Sequence, residues 1–253
     1  MRSRMARLTP YLAALTLLLG GWRSGMADLV PSLPGPSSGS PGGPPADGSF
    51  TLTALDTGWY DQTGFHDAAN TNYISGRSGD VEHRNFTVFD LSGLSGPIIS
   101  AQLQLFNPGP PLPGYSSPNP FQIFTLFDVS TPISTLVASQ TGRTDIFADL
   151  GTGTAFGAQV VSAADNGKFV TINLNPAGLA ALNAAEGKQI AFGGAITDLD
   201  LTTLDEYIFG FSNGPDTVRL VVTAVPEPAS LALMGTGLVA SLIYGWRRRI
   251  ART

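Results

Sequence analysis

Gly210-Phe211-Ser212-Asn213-Gly214 has the letters of a G-x-S-x-G nucleophile elbow. That device needs a helix directly after the serine, which exposes the hydroxyl beside backbone N–H groups. Here Pro215-Asp216 and another β-type run follow, so a hairpin turn is the better reading. Gly151 to Gly157 lacks both the spacing of a dinucleotide fingerprint and the P-loop lysine, and reads as a flexible β connection. The two histidines, His66 and His83, lie among Asp61, Asp67, Asp80 and Glu82. Two imidazoles and a carboxylate suffice for zinc. No H-E-x-x-H spacing places two of them on one face, and histidines in polar surface loops are the plainer reading. The acids can instead offer oxygen ligands to calcium, and Asp198, Asp200, Asp205 and Glu206 form a second such group. Neither matches an EF-hand loop. Calcium is the one cofactor left open, with those four as its candidate ligands and simple solvated acids as the alternative. Trp59 and Tyr60 are candidate stacking residues for sugar rings, because they open an aromatic, loop-rich stretch that also holds Phe65 and Tyr73. The competing reading is that these aromatics plug the end of a β domain.

The chain that must position these groups has 253 residues, no cysteine, 30 glycines and 19 prolines. Without cysteine there are no disulfides, thiolate metal sites or cysteine nucleophiles. The formal net charge is −5. It hides a partition: each tip carries four arginines, and the stretch from Asp28 to Glu227 holds six basic against 19 acidic residues, a net of −13. The acidic balance argues against nucleic acid as a partner, since phosphate binding needs clustered Lys and Arg. Arg2, Arg4 and Arg7, then the apolar run Leu8–Leu19, then Gly25-Met26-Ala27 read as a signal peptide over residues 1–27, with signal peptidase cutting after Ala27.

At the other tip stand Val225-Pro226-Glu227-Pro228, then 18 uncharged residues over 229–246, then Arg247-Arg248-Arg249. The uncharged run is about 27 Å long as a helix, close to the hydrocarbon thickness of a bilayer. The arginines after it, within 247–252, should stay cytoplasmic. The three-part tail over 225–253 resembles the PEP-CTERM sorting signal of Gram-negative bacteria, carried by Pro226, Glu227, Pro228, the apolar span, and Arg247, Arg248 and Arg249. The resemblance implies an exosortase-type membrane transpeptidase as partner, transient anchoring in the cytoplasmic membrane, and delivery to the cell surface or extracellular matrix, as in biofilm formers.

Residues 28–49 are rich in proline, glycine and serine and lack the apolar side chains that would offset chain ordering, so they read as a linker. Residues 50–224 then form one module. Ala101, Leu103 and Leu105 alternate with Gln102 and Gln104, and Val218, Leu220 and Val222 alternate with Arg219 and Thr223. Phe86–Phe89, Phe121–Phe127, Phe169–Leu174 and Tyr207–Phe211 are further strand-like runs, and Asn166-Gly167 is a hairpin cue. One short helix is marked by Asn175, Pro176 and Gly187. The expectation is a mainly β fold, a single jelly-roll-like antiparallel β-sandwich with one short helix. The stretches Arg84–Ser92 and Ile98–Leu105 resemble paired strands of DNRLRE-type secreted β-sandwich modules, which implies an adhesive, structural or carbohydrate-associated role.

The functional expectation is a non-enzymatic exported protein of the envelope or matrix, for adhesion or association with extracellular polysaccharide. The alternatives are a secreted hydrolase using Asp61, Asp67 or Glu82, and a purely structural matrix protein. A hydrolase would need two carboxylates roughly 5–10 Å apart.

Overall fold

The computed structural model describes residues 48–200 and 202–225, and they are mainly β. The signal peptide, most of the linker, the sorting residues 226–228 and 247–249, and the expected span 229–246 lie outside the described residues. Along the chain come β1 (Ser49–Thr53), β2 (Asp56–Asp61), β3 (Ser75–Ser78), β4 (Val81–Asp90), β5 (Ile98–Asn107) and β6 (Gln122–Asp128). Two short helices, α1 (Ile133–Leu136) and α2 (Thr144–Asp149), precede β7 (Ala155–Val161). Then follow β8 (Lys168–Asn173), α3 (Pro176–Ala184), β9 (Gln189–Ile196), β10 (Asp205–Ile208) and β11 (Val218–Ala224).

The strands form two antiparallel sheets. A four-stranded sheet has the order β1-β11-β5-β8, and a seven-stranded sheet runs β10-β3-β4-β9-β6-β7, with β2 also pairing with β4. Period-two alternation sorts their side chains as expected. Leu103, Leu105, Leu220 and Val222 point inward and are inaccessible to solvent, while Gln102 and Arg219 face out. They meet Phe89, Phe124, Leu126 and Phe192 of the other sheet in one shared apolar core. At roughly 25 cal/mol per Å² of apolar area, each fully buried Leu or Phe contributes about 1.5–3 kcal/mol.

Three expectations are corrected by this topology. Asn166-Gly167 does not turn a hairpin: it links β7 in one sheet to β8 in the other. Gly167 does adopt a left-handed φ of 78°, as the dipeptide suggests, but its N–H goes to the Asn107 carbonyl at 2.7 Å. The Gly210–Gly214 turn likewise carries the chain between sheets rather than folding one strand on its neighbour. Turn chemistry is local, whereas strand partnership is set by burial far along the chain. The third correction concerns the helices. α3 forms as read, with the Asn175 side chain accepting from the N–H groups of Ala177 and Gly178 at 3.0 Å each. It is joined by α1 and α2.

Those two helices cover the outer face of the seven-stranded sheet. Leu136, Ile146 and Leu150 pack with Tyr60, Phe86 and Val88 in a second buried cluster. Arg84 of β4 ties α2 down: its guanidinium lies 4.2 Å over the Phe147 ring, donates to the Phe147 carbonyl at 3.1 Å, and pairs with Glu82 at 3.1 Å. Gly193 of β9 permits this approach, because a Cβ there would sit 2.7 Å from the Leu150 carbonyl oxygen.

Candidate functional site

Polar and aromatic groups gather where the loop 62–74 between β2 and β3 meets Leu112 and residues 139–141 and 211–213. Its first turn is built on Asp61, whose carboxylate accepts from the N–H and hydroxyl of Thr63 and from the Phe65 N–H. Gly64, at φ +78°, lies against the backbone of Arg143, where a Cβ would come within 2.1 Å of its nitrogen. His66 exchanges backbone hydrogen bonds with Gln140, which stitches this loop to the helical cover. Its ring stacks on Tyr60 at 4.8 Å, and Nδ1 contacts the Trp59 carbonyl at 2.9 Å. Nε2 is buried without a hydrogen-bond partner. Burial holds His66 below the usual imidazole range, against the opposing pull of the Trp59 and Val137 carbonyls and of Asp56 and Asp67. His83 is shifted the same way for the same reason, with Asp61 the main opposing charge.

Farther along, Asp67, Asn70 and Asn72 each accept the N–H two residues on, so their side-chain oxygens shape the loop. Tyr73 anchors its end. The phenol lies within hydrogen-bond reach of the Phe106 carbonyl and the Thr217 hydroxyl, and burial pushes its pKa up to about 12. The Tyr73 N–H donates to Ser212 Oγ at 2.8 Å. The G-x-S-x-G serine is therefore buried and serves the fold, and it is followed by one 3-10 turn (Pro215–Thr217) and the crossover to β11, with no α-helix between them.

Beside that serine stands Phe211, a residue that sequence reasoning missed as a site. Phe209 and Phe211 both adopt left-handed φ values, 57° and 59°, which are costly for aromatic residues. The segment is pinned there because Phe209 N–H donates to buried Asn107 Oδ1 at 3.0 Å and Gly210 N–H to the Gly114 carbonyl at 2.9 Å. Phe209 fills the core, while Phe211 keeps half of its surface in solvent. It overlooks a groove of about 530 Å³ whose polar lining comes from Asp67, Asn70, Thr71, Asn72, Ser212 and Asn213, with Leu112 on its apolar side. A second, smaller groove of about 340 Å³ lies across Asp67, against Phe65, Gln140 and Thr141. The available signal for Phe211 was an aromatic enclosed by glycines in a turn, where packing alone gives no reason for a large ring.

The other candidates fall elsewhere. Tyr60 is a correction: it is fully buried, its hydroxyl donates to the Leu136 carbonyl at 2.9 Å, and it presents no face to a sugar. Alternation along β2 turns it under α1 and α2. Trp59, on the opposite face of β2, is half-buried, with His83 packed edge-on at 4.8 Å and Phe65 at 6.2 Å. Asp198 accepts from the Ile123 N–H, Asp200 from Thr202, and Asp205 from the Gly79 N–H. Glu206 is inaccessible to solvent and receives the side-chain amides of Asn119 and Gln122 and the Asp200 N–H. Each carboxylate thus has its own structural partner. Among the described residues no three His, Asp or Glu side chains gather as a metal ion would require, at 198–206 or around His66 and His83.

β11 runs in the interior of its sheet, between β1 and β5, and hands the chain directly to the tail. Residues 224–249 match the PEP-CTERM protein-sorting motif. The chain is therefore of the exported class that passes through the membrane and is processed by an exosortase, a membrane enzyme. No curated protein matches the chain. Among the described residues no helix is long and apolar enough to cross a membrane, and the apolar run 229–246 lies outside them.

Proposed function

We propose that the exported chain is a non-catalytic binding module that associates with neutral polysaccharide at the cell surface or in the extracellular matrix of a Gram-negative bacterium. The fold is read as a jelly roll. With β2, β3 and β10 set aside, the sheets have the orders β1-β11-β5-β8 and β4-β9-β6-β7, and the chain crosses repeatedly between them. The observation that carries the binding function is Phe211, an aromatic ring held half exposed in a strained conformation over a groove lined by amides and hydroxyls. An aromatic face and side-chain amides suit the C–H face and hydroxyls of a sugar ring. Asp67 is the one charged group on that lining, which suits a neutral ligand.

The non-catalytic reading is supported by how the reactive groups are engaged. Ser212 is buried on Tyr73, Asp61 and Asp67 build turns, and Glu82 is paired with Arg84. A glycan array probed with the full-length chain and with Phe211→Ala tests the reading. Neutral oligosaccharides are expected to give signal with the wild type and at least tenfold less with the variant. Equal signal from both removes the groove from the account.

A further inference from the structure

The outer face of the four-stranded sheet is unlike the rest of this acidic domain. None of β1, β5, β8 and β11 contains an aspartate or glutamate. Every strand-borne carboxylate (Asp56, Asp61, Glu82, Asp90, Asp128, Asp205 and Glu206) belongs to the other sheet. Strand register sets the side chains of this face in rows. One row is Thr53, Arg219, Gln104 and Thr171. The next is Thr51, Val221, Gln102 and Asn173. Thr51, Thr53, Gln102 and Asn173 are exposed, and none of their side-chain hydroxyls and amides hydrogen-bonds to another described residue. This contrasts with Asn70 and Asn72 in the groove, whose side-chain oxygens already accept backbone N–H groups of the loop. From within the first row Arg219 lies 4.6 Å over the ring of Phe169, which is itself edge-on to Phe106 at 5.4 Å.

We infer that this face is a docking plate for a neutral polysaccharide chain lying flat across the strands. Four strands about 4.8 Å apart give a plate roughly 15 Å wide. An exposed sheet face ordinarily carries interspersed Lys and Glu, which keep it hydrated and apart from other surfaces. Here the negative charge is withdrawn: Arg219 is the one charged group in the two rows, and beside it stands a set of unengaged donors and acceptors that match sugar hydroxyls. The aromatic–guanidinium cluster offers a flat surface to a sugar ring. Charge chooses the occupant. The acidic body repels an anionic chain, and a neutral one meets no carboxylate on the plate. The inference shares the polysaccharide ligand with the proposed function but rests on a surface separate from the Phe211 groove.

The test is depletion of the full-length protein, kept in a polyoxyethylene-ether detergent, onto insoluble cellulose and insoluble β-1,3-glucan. The wild type is expected to adsorb to at least one. Thr51→Glu combined with Asn173→Glu, which places two carboxylates in one row, is expected to weaken adsorption at least tenfold with an unchanged thermal midpoint. Gln102→Glu alone serves if the pair perturbs folding. The charged pair is also read on a Phe211→Ala background, and the tenfold loss is expected there as well as in the otherwise wild-type chain, so failure of the groove and failure of the plate are distinguishable. Absence of wild-type adsorption, or charged variants that adsorb undiminished, overturns the inference. So does a wild-type dimer that the charged pair dissociates, because a second copy would then be the occupant.

Discussion

His66 shows how one side chain can tie the stability of the domain around the loop 62–74 to pH. It is almost wholly buried, its Nε2 has no hydrogen-bond partner, and burial keeps it neutral. The unfolded chain takes up the proton near the ordinary value of about 6.5. The folded state resists it, so stability is full above that value and falls as pH drops through the lower, folded pKa. Urea midpoints measured from pH 7.5 to 5 should decline for the wild type, and the decline should be shallower for His66→Asn. Identical slopes would show that this imidazole is not the linked group. At Gly64 the sign is steric. Gly64→Ala must place a Cβ against the Arg143 backbone at a positive φ, and a loss of more than about 2 kcal/mol is expected by denaturant unfolding.

At the scale of elements, the α1–α2 cover connects the outer core to the loop 62–74. Asp149 accepts from the N–H and hydroxyl groups of both Ser130 and Thr131, which closes this cover onto the end of β6. Leu136 is inaccessible to solvent within it, so Leu136→Ala should cost about 2–5 kcal/mol, measurable as a lowered urea midpoint. It should also loosen the loop 62–74 through the paired backbones of His66 and Gln140. Faster hydrogen exchange at His66 and Gln140 than at Leu103 would register that. This cover was not legible in the sequence. Strands β5 and β11 were, because in–out alternation is a local property that burial directly produces. Tyr60 and Trp59 could not be sorted in the same way, since what buries Tyr60 lies about 75 residues downstream and reaches it only in three dimensions. Asn166-Gly167 announced a turn, but which sheet receives the next strand depends on the whole core. Phe211 was hidden inside a motif whose letters suggested catalysis.

For the whole molecule, the net charge of −5 is a sum over parts that do not share a mature product if both tips are removed. The stretch from Asp28 to Glu227, at −13, is then the functional body, and its strand-borne acids all lie away from one sheet. β11, the interior strand that completes that sheet, leads directly into the sorting motif. Deleting Arg247–Arg249, or replacing Pro226-Glu227-Pro228 with alanines, should leave the chain unprocessed, visible as a larger species retained in the membrane fraction. Unchanged size and location in both would contradict the sorting account. The central claim, that the exported body holds neutral polysaccharide, is tested most directly by titrating full-length protein with soluble neutral and uronic-acid polysaccharides by isothermal calorimetry. Saturable heat with a neutral chain and none with the uronic-acid chain is the predicted result. Heat with neither, or with the anionic chain alone, would contradict it.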